Sequence, residues 1–209
     1  MLPPVAGFVK LSLCDWPGHV AATVFLQGCN FRCPWCHNPE LVYPKLFSTP
    51  LSDSEVERFI SSLSPKMYDG VVVSGGEPTV HPSLPNLLLL IKQKGLKVRL
   101  DTNGSNPELL EYLMNESLID EVAMDYKLPL DMYHLVGCDD PDAVRKSMSI
   151  LAKRRNGYLR TTVVSGLHTE EVLSRMKEEL QSIAGGRLKW ILQEYRESPL
   201  VSTQSTTPD

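Results

Sequence analysis

The sequence predicts an α/β fold on a parallel sheet, and three observations carry that prediction. Short apolar, often β-branched runs alternate with stretches whose apolar residues recur at helical spacing. Six such runs end on glycine or polar residues instead of further apolar ones. A chain of 209 residues, 42% hydrophobic and 22% charged, has enough apolar material for one sizeable core. Strands alternating with helices pair in parallel through right-handed crossovers, and chemistry on such sheets gathers at the C-terminal strand ends.

In order along the chain, Val5 to Leu13 reads as an extended lead-in placed to pair with the strand after it. Val20 to Leu26 reads as a buried strand, and a cysteine-rich loop hangs from its end. Pro39 to Pro50 is irregular. Ser52 and Glu55 form a capping box, each satisfying a free backbone donor of the other, and Val56, Phe59, Ile60 and Leu63 then lie on one helical face. Gly70 to Ser74 is the next strand, followed by a helix from Ser83 to about Lys94. Lys97 to Asp101 is a strand, after which Asn106 caps a helix with Pro107 in its first position, where a missing N–H is harmless. Glu121 to Asp125 is a strand, and Asp140-Pro141 opens a helix reaching about Arg155. Leu159 to Val164 is a strand, Thr169 caps a helix carrying Val172, Leu173, Met176, Leu180 and Ile183 on one face, and Arg187 to Gln193 is the sixth strand. Residues 1–197 are thus expected to form a single domain. Ser198 to Asp209, rich in Ser, Thr and Pro and without apolar periodicity, is expected to be a disordered tail.

The six strand ends form a candidate rim. They carry, in order, the cysteines, Ser74-Gly-Gly-Glu-Pro78, Asp101-Thr-Asn-Gly104, Asp125-Tyr-Lys127, Ser165-Gly-Leu-His168, and the run Gln193-Glu-Tyr-Arg196. Taken alone, several have plain structural readings. Gly75-Gly76-Glu77-Pro78 is also what a strand-to-helix turn looks like, Asn103-Gly104 is a strong turn dipeptide, and Asp125 with Lys127 makes an ion pair on one face of a strand end.

Cys29, Cys33 and Cys36, three of the five cysteines, fall at CxxxCxxC spacing. Thiolates on one short loop suit a soft metal centre, and three of them on a four-cornered 4Fe–4S cube leave one iron open to a chelating small molecule. The competing reading is a structural zinc site completed by His37. Adjacent Cys36 and His37 do not easily reach one ion together, and zinc sites generally draw on two separated ligand pairs.

Composition removes other classes. A net charge of −4 with scattered basic residues gives no nucleic-acid footprint. No apolar stretch reaches the ~18–20 residues of a membrane span, and Met1 to Val5 lacks the basic start and apolar core of a signal peptide. An odd number of cysteines, three of them clustered, argues against a secreted disulfide framework and for the reducing cytoplasm.

CxxxCxxC with an aromatic, Trp35, just before the third cysteine resembles the signature of the radical S-adenosylmethionine enzymes. The longer runs Ser12-Leu-Cys-Asp-Trp-Pro-Gly18 and Val24 to Val42 resemble the anaerobic ribonucleoside-triphosphate reductase activating proteins and, more distantly, the pyruvate formate-lyase activating enzymes. The likeness is densest before Val42, thins after Gly137 and runs to about Arg196. It implies a partial (β/α)6 barrel, one 4Fe–4S cluster on Cys29, Cys33 and Cys36, and S-adenosylmethionine as the molecule chelated at the open iron. Reductive cleavage of that molecule then gives a radical that takes hydrogen from a glycine Cα of a glycyl-radical partner enzyme. The anaerobic ribonucleotide reductase is the partner the resemblance favours, a pyruvate formate-lyase-like enzyme the alternative, and a flavodoxin- or ferredoxin-type protein the electron donor.

Residue by residue, the same resemblance puts Gly75, Gly76 and Glu77 at the methionine end of the cofactor, with Glu77 near its amino group. Asp101, Thr102 and Asn103 lie against the cofactor, Asp125 and Lys127 beside its ribose and carboxylate, and Trp35 and His37 toward its adenine. His168, Gln193 and Arg196 receive no defined role, and His19, His81 and His134 read as loop or surface histidines. Cys14 and Cys138 read as structural, because a fourth thiolate would close the open iron. Two other functions stay open: a radical enzyme acting on a small molecule, as deazapurine synthases do, and a zinc-bearing module without catalysis.

Overall fold

In a computed structural model, which describes residues 1–154 and 156–196, one seven-stranded sheet organises the chain. The expected tail over 198–209 lies outside the described residues, as does Arg155, the expected end of the fourth helix. Strands β1 (Val5–Ser12), β2 (Ala21–Leu26), β3 (Gly70–Gly75), β4 (Lys97–Thr102), β5 (Glu121–Asp125), β6 (Gly157–Val163) and β7 (Lys189–Glu194) stand side by side in sequence order. Strands β2 to β7 are the six expected parallel strands. The lead-in β1 pairs antiparallel with β2, with bulges at Val5/Gly7 and Val9/Ser12. Among the described residues β1 and β7 pair on one side only and the sheet is not closed, as in a partial barrel.

Helices α1 (Asp53–Ser62), α2 (Leu84–Gln93), α3 (Pro107–Asn115), α4 (Pro141–Arg154) and α5 (Glu170–Ala184) bury one face each. The capping box of Ser52 and Glu55 starts α1, Asn106 caps α3 by accepting from the Leu109 N–H, and Thr169 caps α5 by accepting from the Val172 N–H. Phe59 of α1 stacks on Phe8 of β1 at 3.7 Å, fixing that helix over the outer face of the sheet. Between them, Val71, Val73, Leu87, Leu88, Ile91, Val98 and Leu100 form a core without solvent contact. Alternation then turns the intervening residues Ser74, Arg99 and Asp101 to the concave side.

The loop between β1 and β2 plugs the lower end of that concave side. Trp16 packs with Ala21 and Val72, and Asp15 accepts a hydrogen bond from the Thr23 hydroxyl at 2.6 Å. Cys14 lies in this loop, beside Ser12, while the cysteine motif follows the opposite end of β2. A six-residue strand separates them by roughly 17–20 Å.

Candidate active site

All six parallel strands contribute to a cavity of about 630 Å³ on the concave side of the sheet. Cys29, Cys33 and Cys36 line it, as do Trp35 and His37, Gly75 to Glu77, Asp101 to Asn103, and Asp125 with Lys127. The sequence-derived candidates are therefore brought to one place, although several do something other than face a ligand.

The root of the cysteine loop is locked to the β3 turn by main-chain bonds. The Gly76 N–H donates to the Leu26 carbonyl at 2.8 Å, the Glu77 N–H to the Gly28 carbonyl at 2.7 Å, and the Gly28 N–H to the Leu41 carbonyl at 2.7 Å. Here the glycines are required by the protein's own backbone. A Cβ on Gly76 would collide with the Gly28 carbonyl, and Gly75 (φ +121°) has no room against Leu26. His81, read from sequence as a loop or surface histidine, is half-buried and engages the Gln27 carbonyl through Nε2 at 2.6 Å. The Gln27 side chain in turn reaches Ser48.

Glu77 is buried and its carboxylate is saturated. Oε1 accepts from the Thr79 N–H (3.0 Å), the Thr79 hydroxyl (2.5 Å) and the Thr102 hydroxyl (2.7 Å), while Oε2 accepts from the Asn103 N–H (2.5 Å). It pins the β3 turn to the β4 turn. Asn103 continues the tie by donating to the Asn30 side chain in the cysteine loop at 2.9 Å. Burial pushes the Glu77 carboxyl above its ordinary range despite these four donors.

His168 and the Ser165–His168 run, expected on the rim, do not line the cavity. The Val164 N–H donates to His168 Nδ1 at 3.0 Å, so Nε2 carries the proton and donates to the Lys127 carbonyl at 2.7 Å. Trp35 meets the His168 ring edge-on at 6.0 Å. The contribution of β6 comes from within the strand, through Arg160 and Thr162, which the sequence reading left unassigned. Its signal was a lone arginine inside an otherwise apolar and β-branched strand. Gln193 and Arg196, left without a role, line the cavity at the end of β7, and His37 Nε2 bonds the Arg196 carbonyl at 2.9 Å.

Charge on the cavity floor is paired. Arg160 donates through Nε to Asp125 at 2.6 Å and through Nη1 to Asp101 at 2.9 Å; Lys127 Nζ donates to Asp125 at 2.9 Å, and Arg99 Nε to Asp101 at 3.0 Å. Burial acts to raise the Asp125 carboxyl, yet Arg160 and then Lys127 outweigh it and hold Asp125 well below the usual carboxylate range. Burial alone would lower the Lys127 ammonium; Asp125, and after it Cys33, keep it firmly protonated.

The profile of the Radical SAM superfamily matches residues 23–178. The chain belongs to the radical SAM superfamily. A Methanocaldococcus jannaschii protein, provisionally named a glycyl-radical enzyme activating enzyme, is 37% identical over 175 residues, covering 80% of this chain and 71% of its own length. That relationship places the chain within the radical SAM family of glycyl-radical enzyme activating enzymes, which are oxidoreductases. The pyruvate formate-lyase-activating enzyme of Clostridium pasteurianum is 31% identical over 122 residues (56% of this chain, 50% of that protein). The 7-carboxy-7-deazaguanine synthase of Aquifex aeolicus is 35% identical over 82 residues (38% and 34%). The chain thus spans half or less of these two relatives. Among solved structures, native anSMEcpe with bound AdoMet superimposes with a TM-score of 0.62 at 17% identity, over 82% of this chain and 50% of that one, a likeness of fold.

Radical SAM enzymes use a 4Fe–4S cluster and S-adenosylmethionine, and the cavity fits both. Its donor set is three thiols on one loop, soft ligands of the kind iron–sulfur clusters take. Among the described residues no three His, Cys, Asp or Glu side chains converge on a single ion, a demand that a cluster offering each thiolate its own iron does not make. The volume lies in the range of small-molecule sites, and the lining offers carboxylates for a cationic group and Lys127 for an anionic one. Burial raises all three thiols, Cys29 to about 11. Lys127 opposes that rise at each of them.

Proposed function

We propose that this protein activates a glycyl-radical enzyme, most specifically an anaerobic ribonucleoside-triphosphate reductase, with electrons from a flavodoxin- or ferredoxin-type carrier. One observation carries the reading: a three-thiol loop and polar residues of five neighbouring strands share one cavity on a sheet unclosed among the described residues. The relative of 37% identity supports the activating role, and the Ser12–Gly18 and Val24–Val42 runs support the reductase as partner.

Cys29, Cys33 and Cys36 would hold the cluster, and the Gly75–Glu77 turn with Asp101–Asn103, Asp125 and Lys127 would hold the cofactor. When bound, cluster and cofactor supply an electron and a carbon-centred radical able to take hydrogen from an unactivated C–H. The chain's own residues position and enclose. Glu77 fastens two strand-end turns together, so the wall against which a ligand rests is stiff before it arrives. Lys127 presents an ammonium to a carboxylate, and the apolar plug of Trp16 excludes water from below.

A glycine inside another protein reaches the cavity only through an opening that admits a polypeptide. The sheet, unclosed among the described residues, leaves room for one.

The test uses anaerobically reconstituted, reduced protein with S-adenosylmethionine. Adding the reductase should give a persistent doublet in electron paramagnetic resonance, and deuterium on the reductase's glycine should appear in 5′-deoxyadenosine. Label arriving instead from a purine-like metabolite, with the reductase left radical-free, would overturn the activase reading in favour of a small-molecule enzyme such as the deazaguanine synthase.

A further inference from the structure

We propose that Arg160 is a positioning residue for cofactor binding, because it holds Asp125 and thereby lets Lys127 exchange the Asp125 carboxylate for that of the cofactor. The inference rests on the reading of the cavity as a cofactor site, and it assigns a task to a side chain that the cysteine motif and the strand-end runs leave unexplained.

Arg160 and Asp125 are register partners on β6 and β5, and Asp101 lies on the next strand, β4. The guanidinium spans both carboxylates, Nε on Asp125 Oδ1 and Nη1 on Asp101 Oδ2. With Arg99 on the far side of Asp101 and Lys127 on Asp125 Oδ2, five charges alternate across three strands. Arg160 and Lys127 are about one-fifth exposed, Asp101 half that and Asp125 28%. Lys127 ends the chain, facing the cysteines.

Each oxygen of Asp125 thus has its own cation. Were Lys127 its only partner, moving the ammonium to an incoming carboxylate would leave Asp125 uncompensated in a partly buried site, the costly half of breaking such a pair. With Arg160 fixed on the other oxygen, Asp125 stays compensated, and Lys127 trades one carboxylate for another. Among the described residues Lys127 has one side-chain partner, and it has a flexible stem. Arg160 is held by carboxylates on two strands, and its planar fork cannot leave one without disturbing the other. The mobile cation is therefore the lysine and the fixed one the arginine.

The experiment measures equilibrium binding of S-adenosylmethionine to cluster-loaded protein, with iron content and melting temperature as controls. Arg160→Gln should keep the cluster yet bind the cofactor about tenfold or more weakly, since Lys127 is then tied to Asp125. Adding Asp125→Asn to Arg160→Gln should relieve that loss by releasing Lys127, judged against Asp125→Asn alone so that Asp125's own contribution to the cofactor site cancels. Such rescue distinguishes positioning from direct contact, because a lost Arg160–cofactor bond is not repaired by neutralising Asp125. Should Arg160→Gln fail to accumulate, Arg160→Lys carries the same test: an ammonium lacks the rigid planar fork that spans both carboxylates, so intermediate affinity and the same rescue are expected. Wild-type affinity in Arg160→Gln, or a loss that Asp125→Asn does not relieve, overturns the inference and leaves the cofactor site standing. Absence of binding in the wild-type holoprotein overturns the site itself.

Discussion

Glu77 shows how a residue named by a motif can serve the protein before it serves a ligand. Four donors from Thr79, Thr102 and Asn103 occupy its two oxygens. Glu77→Gln keeps the Oε1 acceptor but turns an NH2 toward the Asn103 N–H, leaving two donors facing in a buried site. Loss of about 1–3 kcal/mol of stability is expected, read from the denaturant midpoint of the cluster-free protein. An unchanged midpoint would mean the carboxylate is not a brace. The cysteines behave differently: Cys29→Ala, Cys33→Ala or Cys36→Ala should each lose the cluster on reconstitution, whereas Cys14→Ala and Cys138→Ala should retain it. Cys14, a strand's length away, provides the sharpest control. At this scale the sequence was legible where residue types cluster in the chain, as in the cysteine loop and the Gly75–Glu77 turn. Arg160 and His81 were not, because their importance depends on Asp125, Asp101 and the Gln27 carbonyl, partners 35–59 positions away on other elements.

Elements were the most readable level, since each strand and helix announces itself through period and cap. The six parallel strands, the Ser52–Glu55 box and the Asn106 and Thr169 caps all follow from local chemistry. What local chemistry does not give is the side from which an element feeds the cavity. The β6 contribution comes from Arg160 and Thr162 inside the strand, and the loop after it turns His168 back to hold Lys127. Asn106 illustrates a link between elements: its Oδ1 caps α3, while its Nδ2 donates to the Thr79 carbonyl in the turn braced by Glu77. Asn106→Ala removes both, at an expected cost of about 1–2 kcal/mol. Asn106→Ser keeps a cap acceptor and should fall between the two. If serine and alanine unfold at the same denaturant concentration, the cap contributes nothing and the Thr79 bond carries the whole effect.

For the molecule as a whole, the cavity's burial sets how it takes up its cluster. The three thiols sit where desolvation favours the neutral form, and Cys29 is pushed up to about 11. Metal binding needs thiolates, so each thiol must lose a proton on assembly, and the apparent affinity rises with pH until the thiols ionise unaided. Lys127 eases this by its positive charge, and it stays protonated throughout the accessible range. Two consequences of opposite sign follow. Cluster reconstitution should improve as pH rises from about 6.5 to 8.5, because fewer protons compete with iron. The cluster-free fold should instead weaken above about pH 9: its folded-state thiol pKa lies above the unfolded value, so the stability it contributes below pH 9 is lost toward pH 11. Lys127→Met removes a cation whose charge acts on all three cysteines, and should shift the reconstitution curve to higher pH while leaving its shape intact. Iron content and absorbance near 400 nm across a pH series, for wild type and Lys127→Met side by side, measure it. Superimposable curves would show that the lysine serves the cofactor alone and plays no part in readying the thiols.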